Sequence, residues 1–182
     1  MPEIEKRPGR IIRRAEAGFT LIELLVVLVI LGLLAALAGP RVIGYLGGAK
    51  SDTARLQVEN FKSALDLYRL DTGTYPTTQQ GLGALVRNPG SVAGWKGPYI
   101  DSPNLPVDPW GNPYQYLAID ISPAPNRGSV RKDKNLNPLN SDFDLYSMGK
   151  DGESVEPLTA KKSHDDVIRA NDGSFVGLAV EF

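Results

Sequence analysis

Two short stretches of this 182-residue chain place side chains where they can do chemistry, one near each end. In the first, Glu23 is the only charge in FTLIELLVVLVILGLLAALAG, Phe19 to Gly39. A carboxylate inside an apolar membrane segment is costly, and such residues pair or mark function. Position leaves two readings open. Glu23 either lies near the edge of the layer and reaches water, or it meets a cation. If the chain is cut after Gly18, the new α-amino group of Phe19 is such a cation. It lies one helical turn from Glu23, and a neighbouring copy's amine serves equally well. The second stretch is the loop from Met148-Gly149-Lys150-Asp151-Gly152-Glu153 to Ser163-His164-Asp165-Asp166. Calcium takes about six to eight oxygen ligands, carboxylates and backbone carbonyls among them. Asp151, Asp165 and Asp166 offer three carboxylates. The EF-hand spacing D-x-[DN]-x-[DN]-G is absent, and on spacing alone solvated loop acids are the plainer reading. His164 has no Ser or Cys nucleophile placed beside it by motif, so a catalytic triad is not indicated.

Composition removes several classes. There is no Cys and one His, which excludes disulfides, zinc fingers, thiolate nucleophiles and multi-histidine metal sites. With 20 Lys+Arg against 21 Asp+Glu, the chain has no general attraction for nucleic acid. The charge is unevenly spread. Residues 1–18 hold five basic residues (Lys6, Arg7, Arg10, Arg13, Arg14) against three acidic ones.

These residues need elements to hold them. About 20 apolar residues rising 1.5 Å each are enough to cross a hydrocarbon layer, and the basic flank keeps the N-terminus cytoplasmic. A cleaved secretory signal has a shorter apolar run and an A-x-A-like end, of which Ala38-Gly39-Pro40 is a weak version. An anchor is favoured. Beyond Pro40, Ala54, Val58, Phe61, Leu65 and Tyr68 step by four and three along one helix face. Arg55, Glu59, Lys62, Asp66 and Arg69 take the other face. Pro40, Gly44, Gly47 and Gly48 are poor helix formers, so a bent or locally melted helix is expected there. Thr77 to Leu82 reads as a helix start, with one or two turns to Arg87. Strand-like runs fall at Tyr114–Ile119, Phe143–Met148 and Phe175–Val180, with Asn171-Asp172-Gly173 as a turn. Residues 120–141 read as a long polar loop, and Arg131-Lys132-Asp133-Lys134, Lys161 and Lys162 as solvated faces. The expected architecture is α+β: a long N-terminal helix with a small antiparallel sheet and a loop-rich C-terminal head.

GFTLIELLVVLVILGLLAALAGP resembles the N-terminal signature of type IV pilins and of the pseudopilins of type II secretion. Further segments, LDLYRLDTGTYPTTQQGLGALV (65–86), GPYI (97–100) and DPWGNPYQY (108–116), resemble the major pseudopilin of type II secretion. Read by themselves, the Tyr75-Pro76 and Asp108-Pro109-Trp110-Gly111 pieces are loop scaffold. The resemblance implies a leader, residues 1–18, removed between Gly18 and Phe19 by a prepilin peptidase that then methylates the Phe19 amine. It implies a transmembrane and assembly helix at 19–39 and a periplasmic head at 40–182. Glu23 is implied to neutralise the N-terminus of an adjacent subunit. It further implies one Ca²⁺ in the C-terminal loop, held by Asp151, Asp165 and Asp166 with the carbonyls of Met148, Glu153 and Ser163. The segment Glu153 to Lys162 is longer than the family loop, and the tail to VGLAVEF runs past the usual end.

The resulting expectation is a structural subunit and no enzyme. It is anchored in the inner membrane with a periplasmic head and builds the periplasmic pseudopilus that drives export by type II secretion. Its partners would be copies of itself, minor pseudopilins, the prepilin peptidase and the inner-membrane platform, with no nucleic acid. A type IV pilin or minor pilin of a surface fibre is the neighbouring alternative. A single-span anchor with a periplasmic binding head is the alternative from another class.

Overall fold

Residue 20 is the last before a helix that runs without interruption for 52 residues, α1, Leu21–Thr72. The computed structural model describes residues 18–119, 130–155 and 160–182. Most of the expected leader (1–17), the first half of the expected polar loop (120–129) and residues 156–159 lie outside the described residues. The chain divides into two units, the first ending at Ile43 and the second running from Gly44 to Phe182.

In the first unit α1 is apolar on every side. Its described side chains, Leu21 to Leu37, are exposed, with Leu21 at 88% and Leu37 at 72%. Among the described residues no helix is long and apolar enough to cross a membrane. The stretch from Leu21 to Leu37 rises roughly 25 Å, short of a hydrocarbon layer of about 30 Å. In sequence the apolar run continues to Gly39. The local melting expected around Pro40 to Gly48 is not found, and the backbone is helical throughout. A helix already nucleated adds one bond per residue, so a single proline, costing about 3 kcal/mol, does not by itself unwind it.

The second unit is built on the distal half of α1. Ala54, Val58, Phe61, Leu65 and Tyr68 are all buried, as their spacing predicts. The polar face is more engaged than a solvated one: Lys62 pairs with Asp66 at 3.2 Å, and Arg55 pairs with Glu181 near the C-terminus. Gly73 ends the helix at φ 86°, its N–H donating to the Arg69 carbonyl at 2.7 Å, a conformation that suits glycine at a helix C-terminus. A short 3₁₀ turn, Leu82–Leu85, buries Leu82, Ala84 and Leu85.

Four strands follow: β1 (Gln115–Ala118), β2 (Phe143–Ser147), β3 (Val167–Ala170) and β4 (Phe175–Leu178). They form one antiparallel sheet in chain order, with Tyr116 opposite Leu145, Ser147 opposite Val167 and Ile168 opposite Gly177. Three strands coincide with the expected runs, and β3 was not expected. All four of its residues are buried, so it lacks the polar–apolar alternation that marks a half-exposed strand. The alternation of side chains explains the burial. On one face Phe143, Leu145 and Val167 join Phe61, Leu65 and Tyr68 of α1. On the other, Ile168 and Ala170 pack with Leu139, Ala179, Tyr146 and Phe175.

The segment 130–141 is therefore more than a polar loop. It contributes buried Val130, Arg131, Leu139 and Asn140, and closes on itself through a bridge between Lys132 and Pro138. Phe61 of α1 meets Tyr114, the residue before β1, its ring 5.1 Å from that of Tyr114 and steeply inclined to it. Phe61→Ala should destabilise the head by about 3–5 kcal/mol, measured by denaturant unfolding. A loss under about 1 kcal/mol would mean that α1 does not supply the core.

Candidate functional site

The N-terminal stretch is a helix start. Thr20 Oγ1 accepts the Glu23 N–H at 3.3 Å, while Glu23 Oε2 accepts the Thr20 N–H at 3.4 Å. This reciprocal pair is a capping box, T-x-x-E, and it satisfies two of the backbone donors that a helix start leaves open. A carboxylate at this end also opposes the positive pole of the helix dipole. The cap is legible in Thr20-Leu21-Ile22-Glu23, whereas position alone leaves water or a cation as the partner of Glu23. Gly18 and Phe19 precede the helix; Phe19 is 80% exposed and nothing packs over Gly18. The peptide bond between them stands outside helical structure.

The second stretch is built from the Asp108 turn upward. Asp108 is buried, and its Oδ1 accepts the N–H groups of Trp110 (3.0 Å) and Asn112 (2.8 Å), an Asx-type turn. Its Oδ2 accepts the Ser147 hydroxyl at 2.5 Å, and Ser147 Oγ in turn accepts the Gly149 N–H at 3.1 Å. Asn112 Nδ2 donates to the Gly149 carbonyl at 3.0 Å. DPWGN is thus scaffold, as expected, and what it supports is the loop after β2. Gly149 has φ 65°, and a Cβ there would lie 2.3 Å from the Asp165 carbonyl oxygen, so no other residue fits.

That close approach joins the two halves of the loop. Asp165 Oδ2 accepts the N–H groups of Lys150 (2.7 Å) and Asp151 (3.1 Å), and Asp151 Oδ1 accepts the Glu153 N–H at 2.8 Å. Ser163 is buried, with its hydroxyl accepting from Val155 N at 3.0 Å and donating to Val155 O at 2.6 Å. The Glu153 carboxylate pairs with Lys162. Asp151 and Asp165 are therefore neighbours, exposed and half-buried respectively. His164, Lys150, Lys161 and Asp165 line an open groove of about 430 Å³ with Trp110, Gly47 and Ser51. Ser51 Oγ donates to the Gly47 carbonyl at 3.3 Å, the role of a helix side chain.

Asp166 differs from the other two aspartates. It is fully buried, and its Oδ2 accepts from Arg131 Nη2 at 2.6 Å and from the Ser154 hydroxyl at 2.5 Å. Burial pushes its carboxyl up to about 6, against the pull of Ser154 and Arg131. Its Oδ1 is buried with no hydrogen-bond partner. Arg131, expected on a solvated face, is only 5% exposed, and its guanidinium lies 4.4 Å above the Tyr146 ring. Its own N–H donates to Asp144 Oδ2 at 2.7 Å. A basic run in a polar segment gives no sign that one member turns inward; the buried acids opposite it, Asp144 on β2 and Asp166 just ahead of β3, decide it. Among the described residues no group of three or more His, Asp or Glu side chains is placed to hold a metal. The unpartnered Oδ1 of Asp166 is a hard oxygen of the kind calcium takes.

A long N-terminal helix, apolar then amphipathic, with a small antiparallel sheet on its second unit, defines an α+β pilin-like subunit. A family model described as type II secretion system (T2SS), protein G matches residues 41–127, and a prokaryotic N-terminal methylation motif matches residues 13–39. The chain is 46% identical over 145 residues to the type II secretion system core protein G of Pseudomonas aeruginosa, covering 78% of this chain and 88% of that protein. It is 42% identical to the core protein G of Aeromonas hydrophila, again over 78% and 88%. The crystal structure of the major pseudopilin from the type 2 secretion system of enterohaemorrhagic Escherichia coli has a TM-score of 0.48 and 31% identity, covering 69% of this chain and 90% of that one. The chain belongs to the type II secretion system core protein G family, the major pseudopilins of type II secretion.

Proposed function

We propose that this chain is made as an inner-membrane precursor, cut between Gly18 and Phe19, methylated at the Phe19 amine, and polymerised into a periplasmic pseudopilus. The N-terminus is cytoplasmic before cutting, residues 19–39 are the membrane span, and the head from residue 40 is periplasmic. The chain carries no reaction of its own. Its work is to add length to a fibre that pushes folded cargo through the outer membrane. Copies of itself form the shaft, with minor pseudopilins, the prepilin peptidase and the inner-membrane platform as further partners.

The observation that carries this reading is the exposed apolar surface of α1 from Leu21 to Leu37, broken only by Glu23 and preceded by the bare Gly18–Phe19 bond. Each exposed Leu, Ile or Val forgoes about 1.5–3 kcal/mol relative to burial. Such a helix needs lipid while it waits and neighbouring helices once assembled. Intact mass and N-terminal sequencing of the protein from membranes should give a mature chain beginning at methylated Phe19. A chain retaining residues 1–18, or one beginning near Pro40, would sink the reading.

We also propose that the C-terminal loop holds one Ca²⁺ through Asp151, Asp165 and Asp166 with the carbonyls of Met148, Glu153 and Ser163. The metal would supply the positive charge that clustered carboxylates need. Support comes from the hydrogen bonds that draw Asp165 to the turn at Asp151, and from the buried, unpartnered Asp166 Oδ1.

A further inference from the structure

We propose that Arg131 is a resident cation of the C-terminal loop, fixed on Asp166 Oδ2 so that the loop closes on a permanent charge as well as on calcium. The inference rests on the calcium reading and deepens it.

The two oxygens of Asp166 have different fates. Oδ2 is shared by Arg131 Nη2 and the Ser154 hydroxyl, and Arg131 Nη1 also reaches Ser154, so three residues from three segments meet at one atom. Oδ1 is buried and takes no protein donor. Arg131 cannot wander, because its guanidinium is stacked over Tyr146 of β2 and its backbone N–H is tied to Asp144 of the same strand. Strand alternation explains the meeting. Asp144 and Tyr146 on β2, and Asp166 just ahead of β3 in phase with Ile168, face the side of the sheet away from α1. The segment carrying Arg131 covers that side, beside Leu139. Ser154 lies in the lengthened part of the loop, so the extra residues after Glu153 are the ones that reach this pair.

A buried carboxylate with two acceptor atoms accommodates two cationic partners, one on each oxygen. Arg131 is the covalent one. A metal on the Oδ1 side is the exchangeable one, and either partner offsets part of the desolvation cost of the buried carboxylate. Losing Arg131 therefore exposes the full demand of Asp166 for a cation when calcium is also withdrawn.

The test compares melting temperatures of the full chain in detergent, in millimolar calcium and in chelator. Arg131→Met should melt about 10 °C below the wild type in chelator, and by less than half that margin in calcium. Arg131→Lys, which keeps the charge, should fall between them. The double variant Arg131→Met with Asp166→Asn should melt above Arg131→Met in chelator, because no unpaired charge remains, and it serves as the reading if the single variant does not fold. If Arg131→Met loses the same margin in calcium as in chelator while the wild type still responds to calcium, Arg131 is packing only and the inference is overturned with the calcium site intact. If calcium shifts neither the wild type nor Arg131→Met, the calcium reading itself fails and takes the inference with it.

Discussion

Glu23→Ala is expected to insert into the membrane and to be cut after Gly18 as the parent chain is, and then to fail in fibre assembly. Insertion improves when a carboxylate leaves an apolar span, since centring an acidic side chain there costs about 2.5–3.5 kcal/mol. The proposed cleavage is at the Gly18–Phe19 bond, which lies ahead of the helix. The capping box complicates the usual single substitution, because alanine removes both the negative charge and the bonds to Thr20. Glu23→Gln separates the two. Glutamine retains the reciprocal cap but carries no charge. If the carboxylate meets the amine of a neighbouring copy, both variants should lower assembled fibre by roughly ten- to a hundred-fold, the worth of a charge-assisted bond made away from water. Fibre recovered from membranes and cargo secreted to the medium are the two readouts. Normal assembly by Glu23→Gln alongside failure of Glu23→Ala would assign Glu23 to the cap alone.

The same residue shows how far a sequence carries. The apolar run, its lone carboxylate and the stripe from Ala54 to Tyr68 follow from period and charge, because each is a regular pattern repeated over several turns. Three strands were legible for the same reason. What could not be read depends on contacts between segments far apart in the chain. β3, Val167-Ile168-Arg169-Ala170, has no alternation because it is covered on both faces, with Arg169 buried and paired to Asp142, and four residues so covered have no period to detect. Arg131 sits among charged neighbours and differs from Lys132 and Lys134 only in what lies opposite it, Asp166, some 35 residues on. The helical backbone across Pro40 is a further case, where the summed stability of a long helix outweighs a local breaker. In the loop, Asp151 and Asp165 were legible as a candidate pair, while the inward turn of Asp166 was not.

The largest effect outside the membrane segment is expected from calcium, with Asp151 as the residue that reports it. Asp151 and Asp165 are held side by side by the backbone N–H groups of Lys150 and Asp151, so their charges repel unless a cation lies between them or water screens them. Asp151 is exposed and its Oδ1 is engaged only by the Glu153 N–H of its own turn. Removing it breaks no packing and costs one exposed turn hydrogen bond, so a large loss of stability must come through a ligand. A cation that binds the folded loop alone stabilises it by about 2.7 kcal/mol at a hundred times its dissociation constant. On a head of this size that is a rise of roughly 10 °C in melting temperature. The wild type should thus melt higher in millimolar calcium than in chelator, and Asp151→Ala should erase most of the gap while melting close to the wild type in chelator. Magnesium should substitute poorly, since it is smaller and holds to octahedral geometry with several of its waters. Asp133 is the control carboxylate: it is tied to the N–H groups of Asn135 and Asn137, its carboxyl held below the ordinary range by those bonds, and it lies outside the loop. Asp133→Ala should leave the calcium gap unchanged. A melting temperature indifferent to calcium in the wild type would make Asp151 and Asp165 solvated loop acids, held together by backbone donors alone.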